Sequence, residues 1–203
     1  MSTRLVAASR EGVLLLTLES DDGLPRIARG VLAELAVRMD ELAPTRELSC
    51  CVITGSERAF AVGADIGELA RLPATEAFEF SREGQRVFRA IERSPKRVVA
   101  AIRGYCMGGG LDLALACHAR IATAEAVFAH PGGSLGILTG WGGTQRLTRL
   151  AGRARALEML TAGRKMNAGE ALALGLVSKI VSPAELLPDA CKMSGGVSSV
   201  ASQ

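Results

Sequence analysis

Apolar positions along the chain change repeatedly between the spacing of strands and the spacing of helices. Two short apolar runs, at 5–8 and 13–18, flank a polar turn and predict a β-hairpin. Further strands are predicted where short runs rich in Val, Ile and Ala occur: 50–54, 97–103, 120–124 and 176–181. Helices are predicted where apolar residues recur every three or four positions or follow a helix-start signal: 28–43, a segment around 87–91 that Pro95 ends, 111–117, 152–162 and 168–174, for which Asn167 is a candidate N-cap. The alternation predicts an α/β fold with helices packed on a sheet.

The length of the chain and its composition along the sequence bound the domain organisation. A chain of 203 residues is long enough for one domain with a substantial core, which we assign to 1–190. The segment 191–203 is rich in Ser, Gly and Val and shows no apolar period. Such a segment predicts a disordered tail.

Composition excludes several classes of function. Aromatic residues make up 3% of the chain and the formal charge is +3, so neither base-stacking platforms nor a basic patch is available for nucleic acid. No apolar run is long enough to cross a bilayer, and no targeting segment is recognisable. Two His and five Cys without paired spacing favour neither a metal site nor a disulfide framework, and predict a reducing cytoplasm.

Two glycine-containing loops, at 63–65 and 108–110, each lie between a predicted strand and the start of a helix. The first N–H groups of a helix lack intrahelical partners, and the helix dipole there favours negative charge. Two such loops are able to converge on one carbonyl oxygen. The alternative is a tight turn with close packing of helix on sheet. Asp65 has its own structural interpretation as an N-cap, with Glu68 completing a capping-box pattern.

Three sequence blocks taken together carry a resemblance to a known family. They read FAVGADI at 60–66, GYCMGGGLDLA at 104–114 and GWGGTQRL at 140–147. In this order and spacing they resemble the crotonase superfamily, the enoyl-CoA hydratase/isomerase enzymes, over about 13–187. The resemblance implies a spiral core of repeated ββα units, acyl thioesters of coenzyme A as substrates, and homotrimers or homohexamers. Coenzyme A is then part of the substrate, and no separate cofactor is expected.

The resemblance also assigns roles to particular residues. It implies that the N–H groups of Ala64 and Gly109 form an oxyanion hole, a pair of donors that holds negative charge on the thioester oxygen. Contact with the coenzyme A thioester is implied for five positions: Gly63, Ala64, Asp65, Ile66 and Gly109.

Asp112 stands where hydratases of the family carry the first of two catalytic Glu residues. Its position near the start of an apolar helix is expected to raise its pKa toward the range of a general acid. The alternative interpretation is an acid in the first helical turn, where it is favourable to the helix dipole.

The sequence departs from the family pattern at the second Glu, where Gly132 stands and has no group to transfer a proton. His130 and Thr139 lie in the same stretch and are candidates for contact with the substrate or a water, although a lone His beside Pro is often an ordinary loop residue. Arg26 is a candidate for a coenzyme phosphate or an exposed, solvated side chain. His118 is expected to be a surface or packing residue. The C-terminal helical region is shorter than the family pattern.

Two functions are compatible with these residues. The first is an enoyl-CoA hydratase/isomerase-like enzyme, in which the oxyanion hole stabilises an enolate-like intermediate and Asp112 transfers protons. The second is a catalytically impaired acyl-CoA-binding or scaffold subunit, suggested by the absence of the second Glu and by the shortened C-terminal region.

Overall fold

A computed structural model describes residues 2–194, which form ten strands and eight α-helices. The strands are β1 Thr3–Arg10, β2 Val13–Ser20, β3 Cys50–Thr54, β4 Ala59–Ala61, β5 Arg97–Ile102, β6 Tyr105–Met107, β7 Ala119–Thr123, β8 Val127–Ala129, β9 Met166–Asn167 and β10 Lys179–Val181. The helices are α1 Arg29–Leu42, α2 Ile66–Leu69, α3 Ala74–Glu92, α4 Gly109–Ala116, α5 Gly143–Ala151, α6 Arg153–Ala162, α7 Ala168–Ala173 and α8 Leu186–Ser194. In this part of the chain no helix combines the length and apolarity needed to span a membrane.

The larger sheet contains six strands in the order β1-β2-β3-β5-β7-β10. Strands β1 and β2 pair antiparallel as the predicted hairpin, and every other neighbouring pair is parallel. All five residues of β3 are buried, as is usual for a parallel strand whose two faces are both covered. The continuous apolar runs of the sequence form parallel strands, and their apolar character follows from the packed side chains that cover both faces of the sheet.

A second, smaller sheet was not predicted from the sequence. It has the order β4-β6-β8-β9, with β4, β6 and β8 parallel and β9 antiparallel to β8. Strands of three residues, such as β4, β6 and β8, are too short to show an alternating pattern of apolar and polar positions. Each follows a long strand and precedes a helix, giving β3-β4-α2, β5-β6-α4 and β7-β8-α5. This repeated ββα arrangement confirms the predicted spiral core.

The predicted helices are present, with two changes at their ends. Helix α4 begins at Gly109 and not at 111, because Gly108 adopts a left-handed turn with φ of 52° just before it. Asn167 caps α7 in a complete capping box with Glu170, as its position suggested for an N-cap. Helix α8 continues through Ser194, so residues 191–194 are helical and the predicted tail boundary at 191 is wrong. The remainder of that predicted tail, 195–203, lies outside the described residues.

Helix α4 packs directly on the main chain of β4 at Gly110. A Cβ added at this position would lie 2.4 Å from the carbonyl oxygen of Ala61. The last glycine of the triplet therefore has a packing role, and it fixes the distance between the two loops that the sequence analysis singled out.

The substitution Gly110→Ala is expected to lower the free energy of unfolding by about 1–3 kcal/mol, because the added methyl group overpacks a main-chain contact. Gly30→Ala is the matched control, since Gly30 is also helical but a Cβ there would meet nothing within 4 Å. Helix propensity should make this control more stable by about 0.5–1 kcal/mol. Urea unfolding of both variants measures the difference, and equal effects at the two positions would contradict the packing role.

Candidate active site

The three parallel strands of the small sheet end side by side at one edge. Met107, the last residue of β6, pairs with Ala129, the last residue of β8. Neighbouring strands are about 4.8 Å apart, so the segments that follow them also lie close together. Those segments contain Ala64 after β4, Gly109 after β6 and His130 after β8. The fold therefore brings together residues that are far apart in the sequence.

The N–H of Ala64 is left without a protein acceptor by the bridge that holds its loop. Ile27 donates its N–H to the Gly63 carbonyl oxygen at 2.8 Å and accepts a hydrogen bond from the Asp65 N–H at 3.4 Å. The two hydrogen bonds of this bridge involve the residues on either side of Ala64. The N–H of Ala64 itself has no acceptor within residues 2–194.

The N–H of Gly109 is likewise unpaired within residues 2–194, because Gly109 is the first residue of α4. The preceding Gly108 makes the turn with φ of 52° and ψ of −124°, a conformation that favours glycine. The two loops face each other closely. A Cβ on Gly109 would lie 3.4 Å from the Ala64 nitrogen, and a Cβ on Gly63 would lie 3.4 Å from the Gly109 nitrogen.

Both loops border a cavity of about 370 Å³. Its remaining wall is mainly apolar and includes Leu69, Ala77, Phe80, Leu135, Ile137, Leu138 and Leu160. Gly63, Ala64, Ile66 and Gly109, four of the five residues expected to contact the coenzyme A thioester, are on the wall.

The fifth, Asp65, is occupied as the N-cap of α2 and accepts a hydrogen bond from the Glu68 N–H at 3.0 Å. The capping box predicted there is incomplete, because the Glu68 carboxylate accepts from the Arg29 N–H.

Trp141 packs against the turn that presents Gly109. A Cβ on Gly109 would lie 2.4 Å from the indole ring, and a Cβ on Gly84 would lie 2.2 Å from it. The ring also makes edge-to-face contacts with Phe80 and Phe88 at centroid distances of 5.3 and 5.6 Å. This contact was not predicted from the sequence, because it joins helices α3 and α4 through a residue far from both in the chain.

Asp112 is completely buried and lies behind the cavity wall, not on it. Its Oδ2 accepts a hydrogen bond from the hydroxyl of Thr139, which does line the cavity. Desolvation raises the pKa of Asp112 from 3.8 to about 6, although Thr139, nearby main-chain N–H groups and Arg146 oppose the shift. The expected burial of Asp112 is present. Because its carboxyl group does not line the cavity, a proton passes between it and a ligand only through a neighbouring side chain.

His130 lies on the cavity wall, is only 3% exposed, and neither ring nitrogen forms a hydrogen bond within the described chain. Its Nε2 is 3.5 Å from Asp112 Oδ1, which also lacks a well-aligned donor. Desolvation lowers the pKa of His130 from 6.5 to about 4. At neutral pH the imidazole is therefore neutral beside a carboxylate, and the contact is not an ion pair.

Three further candidates are accounted for structurally. A Cβ on Gly132 would lie 2.6 Å from the carbonyl oxygen of Ile137. The main chain at Ile137 therefore occupies the space that a Glu side chain at position 132 would need. Arg26 donates to Asp22 Oδ2 at 2.9 Å and is held in an ion pair. His118 is exposed and accepts the Val98 N–H at Nδ1 over 2.9 Å, as expected for a surface residue.

Comparisons with known proteins agree with this geometry. The sequence model of the family described as "Enoyl-CoA hydratase/isomerase" matches residues 8–198. Crotonyl-CoA hydratase of Syntrophomonas wolfei is 38% identical over 194 residues, 95% of this chain and 75% of the relative. Short-chain-enoyl-CoA hydratase of Clostridium acetobutylicum is 36% identical over 199 residues, 97% of this chain and 76% of the relative.

Solved structures give the same result. An enoyl-CoA hydratase from Bacillus anthracis superimposes with a TM-score of 0.87 at 30% identity, covering 96% of this chain and 76% of that one. Pseudomonas aeruginosa DspI gives 0.90 at 31% identity, covering 94% and 73%. The chain belongs to the enoyl-CoA hydratase/isomerase family. It is an enoyl-CoA hydratase/isomerase-like enzyme. The alternative, a catalytically impaired acyl-CoA-binding or scaffold subunit, is not favoured.

The raised pKa of Asp112 has a consequence for stability. The folded protein keeps the carboxyl proton up to about pH 6 and the unfolded chain releases it near 3.8, so stability falls as pH rises through this window. Asp112→Asn removes this loss. The variant should gain free energy of unfolding relative to wild type between pH 4 and 7, on the order of 3 kcal/mol at pH 7.

Urea midpoints measured across this pH range test the expectation. His130 has the opposite dependence, because its lowered pKa makes stability fall as pH drops from 6.5 toward 4. Well above pH 4 His130 is neutral in both folded proteins, so its contribution cancels in the difference there. A difference that is constant with pH would show that Asp112 ionises at its ordinary pKa.

Proposed function

We propose that the protein binds an enoyl-CoA with its thioester oxygen between the N–H groups of Ala64 and Gly109, and catalyses hydration of the double bond. The observation that carries this proposal is the pair of unpaired main-chain donors on facing loops at one cavity wall. Coenzyme A enters as part of the substrate, and the proposed reaction uses no separate cofactor.

The donors act on the charge that develops during the reaction. Electron density drawn onto the thioester oxygen makes the β-carbon of an enoyl chain electrophilic and the α-carbon of an acyl chain acidic. The N-terminus of α4 adds a favourable dipole at this oxygen. Because the two donors are already withdrawn from other partners, they need no reorganisation when the charge appears.

The acyl chain is proposed to lie along the apolar wall of the cavity. Leu69, Phe80 and Leu160 border it together with the exposed Leu135 and Leu138. Burial of methylene groups against these side chains contributes binding free energy of about 0.8 kcal/mol per methylene. This surface favours a hydrocarbon chain over a polar acyl group.

Hydration is the proposed reaction because the relatives named above are hydratases. Migration of the double bond is a second candidate, favoured by the replacement of the second Glu by Gly132. A 1,3-proton shift needs only one group that removes a proton and returns it. In both reactions Asp112 is the proposed carboxylate, acting through a neighbour on the cavity wall.

Ala64→Pro tests the oxyanion hole, because it removes an N–H that has no protein acceptor and retains the groups of the bridge to Ile27. Loss of one such donor should lower kcat for crotonyl-CoA by about 10²–10³-fold. Ala64→Gly is the control, since it keeps the N–H and should retain activity near that of wild type. Absorbance of the enoyl thioester follows the reaction, and an active Ala64→Pro protein would refute the role of this donor.

We also propose that the protein is a homotrimer or homohexamer in the cytoplasm. Large apolar side chains at Phe78, Leu157 and Leu172 are exposed in the single chain, and subunit contacts would cover such surface. Cys50, Cys51, Cys106 and Cys117 form no disulfide within the described chain, which fits a reducing compartment. Analytical ultracentrifugation should give three or six times the 21.2 kDa chain mass, and a monomer at micromolar concentration would contradict this expectation.

A further inference from the structure

We propose that His130 is the catalytic residue that moves the proton to and from the acyl α-carbon, and that Asp112 is a positioning residue behind it. This inference rests on the proposed function, because it assumes a thioester in the oxyanion hole. It assigns proton transfer to a side chain on the cavity wall and gives the enclosed carboxylate an indirect role.

The position of His130 follows from the small sheet. His130 comes directly after Ala129, which pairs with Met107 just before the turn that presents Gly109. One strand spacing of about 4.8 Å therefore separates its main chain from that turn. The α-carbon of a bound thioester is attached to the carbonyl carbon, so its proton lies within a few bonds of the oxygen in the hole. His130 borders the same cavity.

The unpartnered nitrogens of His130 are the second observation. Buried polar atoms in folded proteins are nearly always hydrogen-bonded, and an exception calls for an explanation. Both Nδ1 and Nε2 are buried without a partner in the described chain, and so is Oδ1 of Asp112. Nε2 and Oδ1 face each other at 3.5 Å. Nδ1 is left without a partner in a residue that borders the cavity, and in the proposal a ligand or water that enters there becomes that partner.

The carboxylate orients the ring and stabilises its charged form. The Thr139 hydroxyl holds Oδ2 of Asp112, which leaves Oδ1 directed at the imidazole. With a proton on Nε2, the lone pair of Nδ1 is available as a base. Hydrogen bonds of this kind are often long in an empty site and shorten when the ring becomes charged. A carboxylate behind a catalytic imidazole performs the same service in hydrolases.

One group is then sufficient for hydration. As the water oxygen bonds to C3, Nδ1 takes a water proton and the π electrons of the double bond move toward the thioester oxygen. The resulting enolate is held by Ala64 and Gly109. The imidazolium then returns the proton to C2, the carbonyl re-forms, and the net change is addition of one water. This sequence needs no carboxylate at Gly132.

The test compares His130→Gln with His118→Gln in the full-length protein. His118 is the other histidine of the chain, and its ring accepts a main-chain N–H away from the cavity. His130→Gln should lower kcat for crotonyl-CoA by about 10²–10⁴-fold, with KM changed only a few-fold. It should lower the exchange of the α-protons of butyryl-CoA with D₂O by a similar factor, measured by NMR. His118→Gln should match wild type in both assays.

A second variant keeps the inference testable if His130→Gln folds poorly. His130→Ala leaves space for added imidazole, which should restore part of the α-proton exchange. Wild-type rates of hydration and exchange in folded His130→Gln, or no rescue of folded His130→Ala, would overturn the role of His130 while leaving the proposed function intact. A wild-type protein that neither binds nor converts crotonyl-CoA would instead overturn the proposed function itself.

The pH profile separates the positioning role of Asp112 from a purely structural one. The charged groups that face this carboxyl are Arg146 from α5 and, once protonated, His130 after β8. The value of kcat/KM for wild type should fall below about pH 6, where Asp112 takes up its proton. In Asp112→Asn this limb should disappear and kcat should be at least tenfold lower. A limb that persists unchanged would exclude Asp112 from this role.

Discussion

The parallel hydrogen-bond register of β4, β6 and β8 is the constraint on which the site depends. These strands are only three residues long, yet their shared direction brings the ends of three separate ββα units to one edge. A shift of β8 by one residue would turn the side chain at 130 to the opposite face of the sheet. The long strands of the other sheet hold this register in place, because each short strand follows one of them closely in the chain.

Burial determines both the strength of the electrostatic interactions in the site and the protonation of its side chains. The interior that isolates two main-chain donors from water also disfavours charge on nearby side chains. It moves the pKa of Asp112 upward and that of His130 downward, which inverts their usual order. His130 and Asp112 therefore do not form an ion pair at neutral pH.

Structural features that depend on adjacent residues could be predicted from the sequence. Features that depend on contacts between residues far apart in the chain could not. The apolar run of β3 and the cap at Asn167 indicated their structures because the signal lies in a few adjacent residues. The turn at Gly108 was identified for the same reason, together with the family resemblance. The depth of Asp112 behind the wall depends on Thr139, 27 residues further on, and such contacts leave no local pattern.

Trp141 illustrates a consequence of this long-range packing. It is the single tryptophan of the chain, and its indole lies on the cavity wall against the turn that carries Gly109. A thioester entering the cavity changes the surroundings of the ring directly. The protein consequently contains its own fluorescent reporter of ligand binding, which needs no attached dye and monitors the turn that carries Gly109.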